Sequence, residues 1–306
     1  MRTVAVFNQK GGVGKTSIAF HLAWYLSAVG RRVLVIDLDP QGNLSSLFEV
    51  DGCLASEIFT RQFADSIEAR EVERVAPSGR CRFSVITADE RLQALEATTN
   101  GLAGLTRLRK ALRTGDGRWD VTVVDCPPSL GGFSANALVA ADSVVVPCTL
   151  RQFSIHGLEH VAETIQATRE EGLNPDLRIL GIVLNQYRKD AKRQTTFERD
   201  IVGDVEAKYG RIVVSTTIPQ SIKLEEALYA KLPIWEYDIF LGKDRSAQIV
   251  ADAYRGVMKE LTHRLEGERD ECAGQAILAD ADSGRGQSDE SGSLVHPADQ
   301  PNPDAA

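Results

Sequence analysis

The 306 residues are 43% hydrophobic and 25% charged, a globular composition long enough for one large α/β domain with a sizeable core. No run of 18 or more apolar residues occurs, which gives no transmembrane helix, and the start "MRTVAVF" lacks the cleavage pattern of a secretory signal, so a cytoplasmic protein is expected. The net charge of −8 sits in one segment: residues 266–306 carry ten acids against two arginines, leaving 33 acids and 33 basic residues in 1–265, a neutral body free to carry a local basic patch.

The first strand-like run is "TVAVFN", followed by the loop "QKGGVG" and the helical stretch "KTSIAFHLAWYL". Strand, glycine-rich turn and helix in that order are what a phosphate-binding loop requires. The usual pattern G-x-x-x-x-G-K-[ST] ends on Gly14-Lys15-Thr16, so its first glycine should stand at position 9; Gln9 stands there, beside a second lysine, Lys10. Gly11, Gly12, Val13 and Gly14 offer backbone N–H groups to phosphate oxygens, and the helix start at Lys15, Thr16 and Ser17 adds its positive end. Lys15 is placed to reach the β- and γ-phosphates, and the Thr16 hydroxyl to ligate Mg²⁺. Ile18, Leu22, Leu26 and Val29 share one helical face, with Gly30 as a C-cap.

"RVLVIDLD" over 32–39 is the next strand, and it leads into "DLDPQGN". Asp37 and Asp39 are two positions apart, so an extended chain puts both carboxylates on one side with Leu38 facing away, a pair suited to hydrated Mg²⁺ or an attacking water. "RFSVITAD" at 82–89 follows, then "DVTVVDCP" at 120–127, an apolar strand ending in Asp125 that reads as a Walker B carboxylate, stopped by Pro127 and Pro128. Further strands are expected at 142–148, 178–185 and 211–219. Near-continuous Val/Ile/Leu runs alternating with helices imply a doubly wound, mostly parallel sheet flanked by helices, with ligands at the carboxyl ends of the strands. The last helix is expected at 244–265, with Ile249, Ala253, Val257, Leu261 and Leu265 on one face, and 266–306 as an acidic, disordered tail. The cysteines (Cys53, Cys81, Cys126, Cys148, Cys272) show no C-x-x-C or zinc spacing, and Cys126 and Cys148 read as small core hydrophobes.

"KGGVGKTS", "VLVIDLDPQGNLSSLF" and "VVDCPPS", with "GIVLNQY" and "TTIPQSIKLEEALYAKLPIWEYD" downstream, resemble the ParA family of partition ATPases, within the ParA/MinD group that carries a deviant Walker A motif. The resemblance spans about residues 1–262. It implies a P-loop NTPase fold over 1–265 and slow, partner-stimulated hydrolysis of ATP with Mg²⁺. It implies an ATP-dependent homodimer in which Lys10 crosses to the partner's nucleotide while Lys15 serves its own, and in which Asp39 orients or activates the attacking water. Thr16, Asp37 and Asp125 match the Mg²⁺ shell, and Asn185 and Pro219 the adenine pocket. The implied partners are a ParB-like centromere-binding protein and non-specific DNA, with a nucleoid-associated location and a role in plasmid or chromosome segregation.

Two features depart from the family pattern: Gln220 and Lys223 stand where it often has arginines. The stretch "YRKDAKRQTTFER" is basic through Arg188, Lys189, Lys192 and Arg193; such a run is ordinarily a solvated face, and with the resemblance it becomes, with Lys223, the candidate DNA contact. Other readings are a positioning ATPase for a protein cargo, a MinD-like membrane switch, and a metabolic P-loop enzyme. The membrane switch needs a basic amphipathic C-terminal helix, where this sequence has an acidic, non-periodic segment. A small-carboxylate synthetase has no need of Lys10, and an iron–sulfur reductase needs cysteine pairs that are absent.

Overall fold

The computed structural model describes residues 1–60, 67–99, 101–149, 155–187, 196–242 and 244–267. The basic run from Arg188 to Arg193 and residues 268–306, read above as tail, lie outside the described residues.

The chain alternates strand and helix. It opens with β1 (Arg2–Val6), α1 (Lys15–Ala28), β2 (Val33–Asp37), α2 (Asn43–Phe48) and α3 (Ala55–Thr60). A hairpin, β3 (Arg70–Ala76) and β4 (Gly79–Ile86), precedes the short α4 (Arg91–Leu95), α5 (Leu102–Leu105) and α6 (Arg107–Thr114). Then come β5 (Val121–Asp125), α7 (Gly132–Ala140), β6 (Ser143–Thr149), α8 (Ile155–Glu170), β7 (Arg178–Asn185) and α9 (Thr196–Tyr209). The described chain closes with α10 (Ile222–Tyr229), α11 (Ile234–Phe240) and α12 (Arg245–Glu266). One seven-stranded sheet runs in the order β3-β4-β2-β5-β1-β6-β7, and every pair is parallel except β3–β4.

Period-two alternation divides the strand side chains between two cores. Val4, Val6, Val33, Val35 and Val123 face α1 and α12, whereas Ala5, Phe7, Leu34, Ile36 and Val124 face the side of α7 and α8. Both faces are covered, which is why the central strands read as unbroken apolar runs. The expected doubly wound fold is therefore present. No helix among the described residues is long and apolar enough to cross a membrane.

Three expectations need correction. The segment 211–219 is not a strand: it makes a 3₁₀ turn at Gly210–Ile212 and only isolated bridges, Val213 to Ile182 and Pro219 to Tyr187. Val214 and Ile218 donate to the Ile182 and Leu184 carbonyls of β7, while the Ser215 N–H, on the side away from β7, is held by the Glu260 carboxylate of α12 at 3.1 Å, and the Ser215 hydroxyl bonds to the same group. Strand β3 was missed because its glutamates and arginines read as surface; it is an antiparallel edge strand whose outward positions are Glu71, Glu73 and the exposed Val75. On α12, Ile249 is 53% exposed, while Ala247, Val250, Ala251, Tyr254, Val257, Met258, Leu261 and Leu265 are buried. A strict every-fourth series drifts about 40° per step around a 3.6-residue helix, so it leaves the buried face within a few turns. Val29 at the end of α1 is likewise half exposed, while Gly30 takes the positive φ expected after a helix end.

Helix α1 lies between the sheet and α12, and its polar residues are satisfied there. His21 is fully buried, its Nδ1 2.7 Å from the Ser17 carbonyl and its Nε2 accepting the Ile234 N–H at 3.0 Å. That geometry fixes a neutral ring protonated at Nδ1, between Tyr254 at 4.1 Å and Trp235 at 5.3 Å. Burial pushes its pKa down to about 3. The unfolded chain therefore binds a proton below about pH 6.5 that the folded chain refuses, and stability falls as pH drops from there towards 3. Urea titrations should show the wild type losing about 2 kcal/mol more between pH 7 and pH 5 than His21→Asn does, the shared carboxylate contributions cancelling in the difference. Equal losses in the two proteins would contradict a buried neutral His21.

Candidate nucleotide-binding site

Strand β1 ends under a loop that is fixed from several sides. The Asn8 amide donates to the Pro147 carbonyl at 2.8 Å, and its oxygen accepts the Lys10 N–H at 3.0 Å. Gln9, where the usual pattern has glycine, reaches sideways to the Thr164 hydroxyl of α8 at 3.0 Å. Position 9 is thus an anchor, and the left-handed conformations fall on Gly12 (φ 72°) and Gly14 (φ 91°). A Cβ on Gly14 would also lie 2.1 Å from the Asn185 side-chain nitrogen, so glycine is required there by both backbone and space. That Asn185 amide donates to the Val13 carbonyl at 2.9 Å, and Gln186 to the Gly12 carbonyl at 3.3 Å, turning loop carbonyls back towards β7.

Helix α1 begins at Lys15 with no side-chain cap on its first turn. Its leading N–H groups and the glycine loop together form an anion cradle. The Lys15 ammonium is buried and donates to the Lys10 carbonyl at 3.0 Å. Burial lowers its pKa, and Asp125 and Asp39 are among the groups that oppose this. The Ser17 hydroxyl faces away from the loop and shares a 2.8 Å hydrogen bond with Tyr254 on α12, so the part of Ser17 that can meet an anion is its backbone N–H.

Opposite the loop stand three buried carboxylates. Asp125 ends β5, and Asp37, its register partner, ends β2. Thr16 donates to one Asp125 oxygen at 2.7 Å, while the other, Oδ1, is buried with no hydrogen-bond partner among the described residues. Asp37 accepts the Asp39 N–H at 3.1 Å and both the N–H and hydroxyl of Ser45 at 2.8 and 2.7 Å. It therefore braces the turn that carries Asp39, whose own carboxylate accepts the Gln41 N–H at 3.0 Å. Burial raises Asp37 to about 6 against the opposing Ser45 bonds, and burial together with the charge of Asp37 holds Asp125 well above the ordinary carboxylate range. Among the described residues no group of three or more His, Cys, Asp or Glu side chains is placed to hold a metal alone. The unpartnered Asp125 oxygen beside the Thr16 hydroxyl nonetheless suits Mg²⁺, which keeps most of its waters and takes few protein oxygens.

Sequence reasoning missed Asn8, Gln9 with Thr164, Ser45 and the Ser17–Tyr254 link. Asn8, a polar residue closing an apolar strand, was the one such signal visible locally; the others depend on residues distant in sequence. Pro219 bridges to Tyr187, two residues past Asn185, so both proposed adenine-pocket residues lie at the same end of β7. Lys223 stands in the first turn of α10 and bonds to Glu226 at 2.9 Å, which raises its pKa.

A family described as AAA domain matches residues 1–179. The chromosome-partitioning ATPase Soj of Thermus thermophilus is 37% identical over 268 residues, covering 87% of this chain and 97% of the relative. The chromosome partitioning protein ParA of Caulobacter vibrioides is 35% identical over 242 residues, covering 78% and 88%. Among solved structures, cobyrinic acid a,c-diamide synthase of Mycobacterium smegmatis with bound ADP and magnesium superposes with a TM-score of 0.68 at 30% identity, covering 88% of this chain and 97% of that one. Loop, paired strand-end aspartates and relatives agree: this chain belongs to the ParA family of partition ATPases.

Proposed function

We propose that this partition ATPase is an ATP-driven dimerisation switch that binds DNA non-specifically when dimeric and is released by a ParB-like partner that stimulates hydrolysis. The observation that carries the reading is Lys10, a second lysine at the edge of an anion cradle whose own phosphate lysine, Lys15, is already inside it. One triphosphate needs only one of them at its own loop, and a second copy facing the first gives Lys10 a triphosphate of its own to meet. Two lysines in one loop are tolerated best where dense negative charge lies between the subunits.

Within each subunit the N–H groups of Gly11 to Ser17 cradle the phosphates and Lys15 turns from the Lys10 carbonyl to the β- and γ-phosphate oxygens. Thr16 and Asp125, with Asp37 behind them, would hold Mg²⁺, which would supply positive charge to offset that developing on the phosphate. Asp39, fixed by the Gln41 N–H and the Asp37 brace, orients the attacking water. Asn185 and Pro219 flank the adenine end. DNA phosphates are met by Arg188, Lys189, Lys192 and Arg193, and by Lys223 once it leaves Glu226. The cellular location that follows is cytoplasmic, on the nucleoid.

The magnesium- and ADP-bound synthase at 30% identity favours a second reading, an ATP-dependent enzyme acting on a small carboxylate. Lys10 discriminates, since such an enzyme has no need of a second loop lysine beside Lys15. In light scattering with ATP and Mg²⁺, wild type and Asp39→Ala should dimerise and Lys10→Ala should remain monomeric. Asp39→Ala should lower turnover by about 100-fold or more while retaining bound DNA. Full turnover by a monomeric Lys10→Ala protein would support the synthase reading instead.

DNA co-sedimentation should require ATP rather than ADP. It should weaken with a log–log salt slope of roughly −0.9 per phosphate neutralised, so six contacts would lose about 10³ in affinity between 50 and 200 mM salt. Salt-independent binding, or none in any nucleotide state, would contradict the DNA-binding switch.

A further inference from the structure

The edge of the sheet opposite the nucleotide site carries a cleft of about 990 Å³. It lies beneath the first residues of β1, β6 and β7 and between the ends of α6 and α12. Six arginines and three aspartates line it. Two of the aspartates are tied to backbone at the rim: Asp142 accepts the Thr3 N–H at 2.6 Å and Asp116 the Gly117 N–H at 3.0 Å. Arg113 and Arg211 are exposed and form no ion pair among the described residues. Burial, and then the neighbouring Arg113 guanidinium, lower the pKa of Arg109, while Asp142 opposes them. The cleft takes no part in the nucleotide site, and, since Arg264 is paired with Glu260, the charge it leaves without an ion pair among the described residues rests on Arg113 and Arg211.

The exit of the chain points to what compensates it. Helix α12 is tied down at its end on this edge: the Leu265 carbonyl accepts from Arg2 and Glu266 pairs with Arg31. Gly267, the last described residue, itself lines the cleft. Residues 268–306 follow directly, with nine acids against two arginines, and Glu268, Asp270 and Glu271 come first. At about 3.3 Å per extended residue the segment reaches every part of the cleft. Its tether holds the acids at an effective concentration of order millimolar, so individually weak ion pairs suffice together.

We propose that the arginine-lined cleft at the amino-terminal edge of the sheet is a docking site for this chain's own acidic segment, residues 268–306. The contact is reversible and screened by salt, because its charges lie at a solvent-open rim. It does not depend on the dimerisation switch proposed above and can fail or hold independently of it.

The test uses the full chain. Arg113→Lys and Arg211→Lys, made singly, keep the charge and introduce an amine that a zero-length carbodiimide can join to a carboxylate in contact with it. Peptide mapping of the monomeric product reads which carboxylates are joined. Links to Asp289 and Glu290 are decisive, since they lie more than twenty residues beyond Gly267 and mere proximity to the exit does not favour them. From positions 113 and 211 these links should exceed those from Lys208 and Lys231 by about tenfold. They should also disappear in about 0.5 M salt. Equal yields from all four positions, or links only between two copies, would overturn intramolecular docking. Absence of links from 113 and 211 would do the same and leave the cleft to another polyanion, such as nucleic-acid phosphate.

Discussion

Strand β5 is hydrogen-bonded on one side to β1 and on the other to β2, and the parallel register sets Val6 and Asp37 both opposite Asp125. The bonds continue past the strand ends: Cys126 donates to the Val6 carbonyl and Leu38 to the Asp125 carbonyl. Three chains therefore leave the sheet at one level. One becomes the glycine loop, one the turn bearing Asp39, and one carries the Asp125 carboxylate into the space between them. A one-residue slip in either pairing would move Asp125 to the other face and separate it from Thr16.

The same register creates an electrostatic demand. Asp37 and Asp125 are fully buried and are held above the ordinary carboxylate range, with Asp39 close enough to add to both shifts. Lys15 supplies one positive charge within the cluster. The facing loop has the opposite character, with N–H groups converging where the helix starts. A ligand that is anionic towards the loop and carries a divalent cation towards the aspartates matches both sides at once, as a magnesium-bound nucleoside triphosphate does. Asp37, saturated by Ser45 and Asp39, contributes charge and rigidity more than an open coordination position.

What could be read from sequence was local. The glycine loop, the apolar strands ending in aspartate and the alternation of strand and helix are contiguous, and the structure brings Lys10, Lys15, Thr16, Asp37, Asp39, Asp125 and Asn185 to the same strand ends. What could not be read depends on groups far apart in the chain. Gln9 looked like a lost glycine until Thr164 of α8 gave its side chain a partner. The apolar stretch 211–219 looked like a strand, and it keeps strand-like bonds to β7 from Val214 and Ile218 without closing a continuous ladder. Ser17 stands at the start of the loop's helix, where its backbone N–H can meet an anion, and nothing local announces that its hydroxyl bonds to Tyr254. That last bond, with His21 between Ser17 and Ile234, joins the loop's helix to α11 and α12, an arrangement invisible to any motif.

The central claim is that Lys10 acts on the nucleotide of a second copy. Mixing two inactive proteins tests it most directly. A Lys10→Ala subunit keeps a complete site except for the lysine its partner must supply; an Asp39→Ala subunit cannot hydrolyse but can supply that lysine. The account predicts that an equimolar mixture hydrolyses ATP although neither protein does so alone. A mixture no faster than the sum of its parts would contradict it and return Lys10 to its own loop.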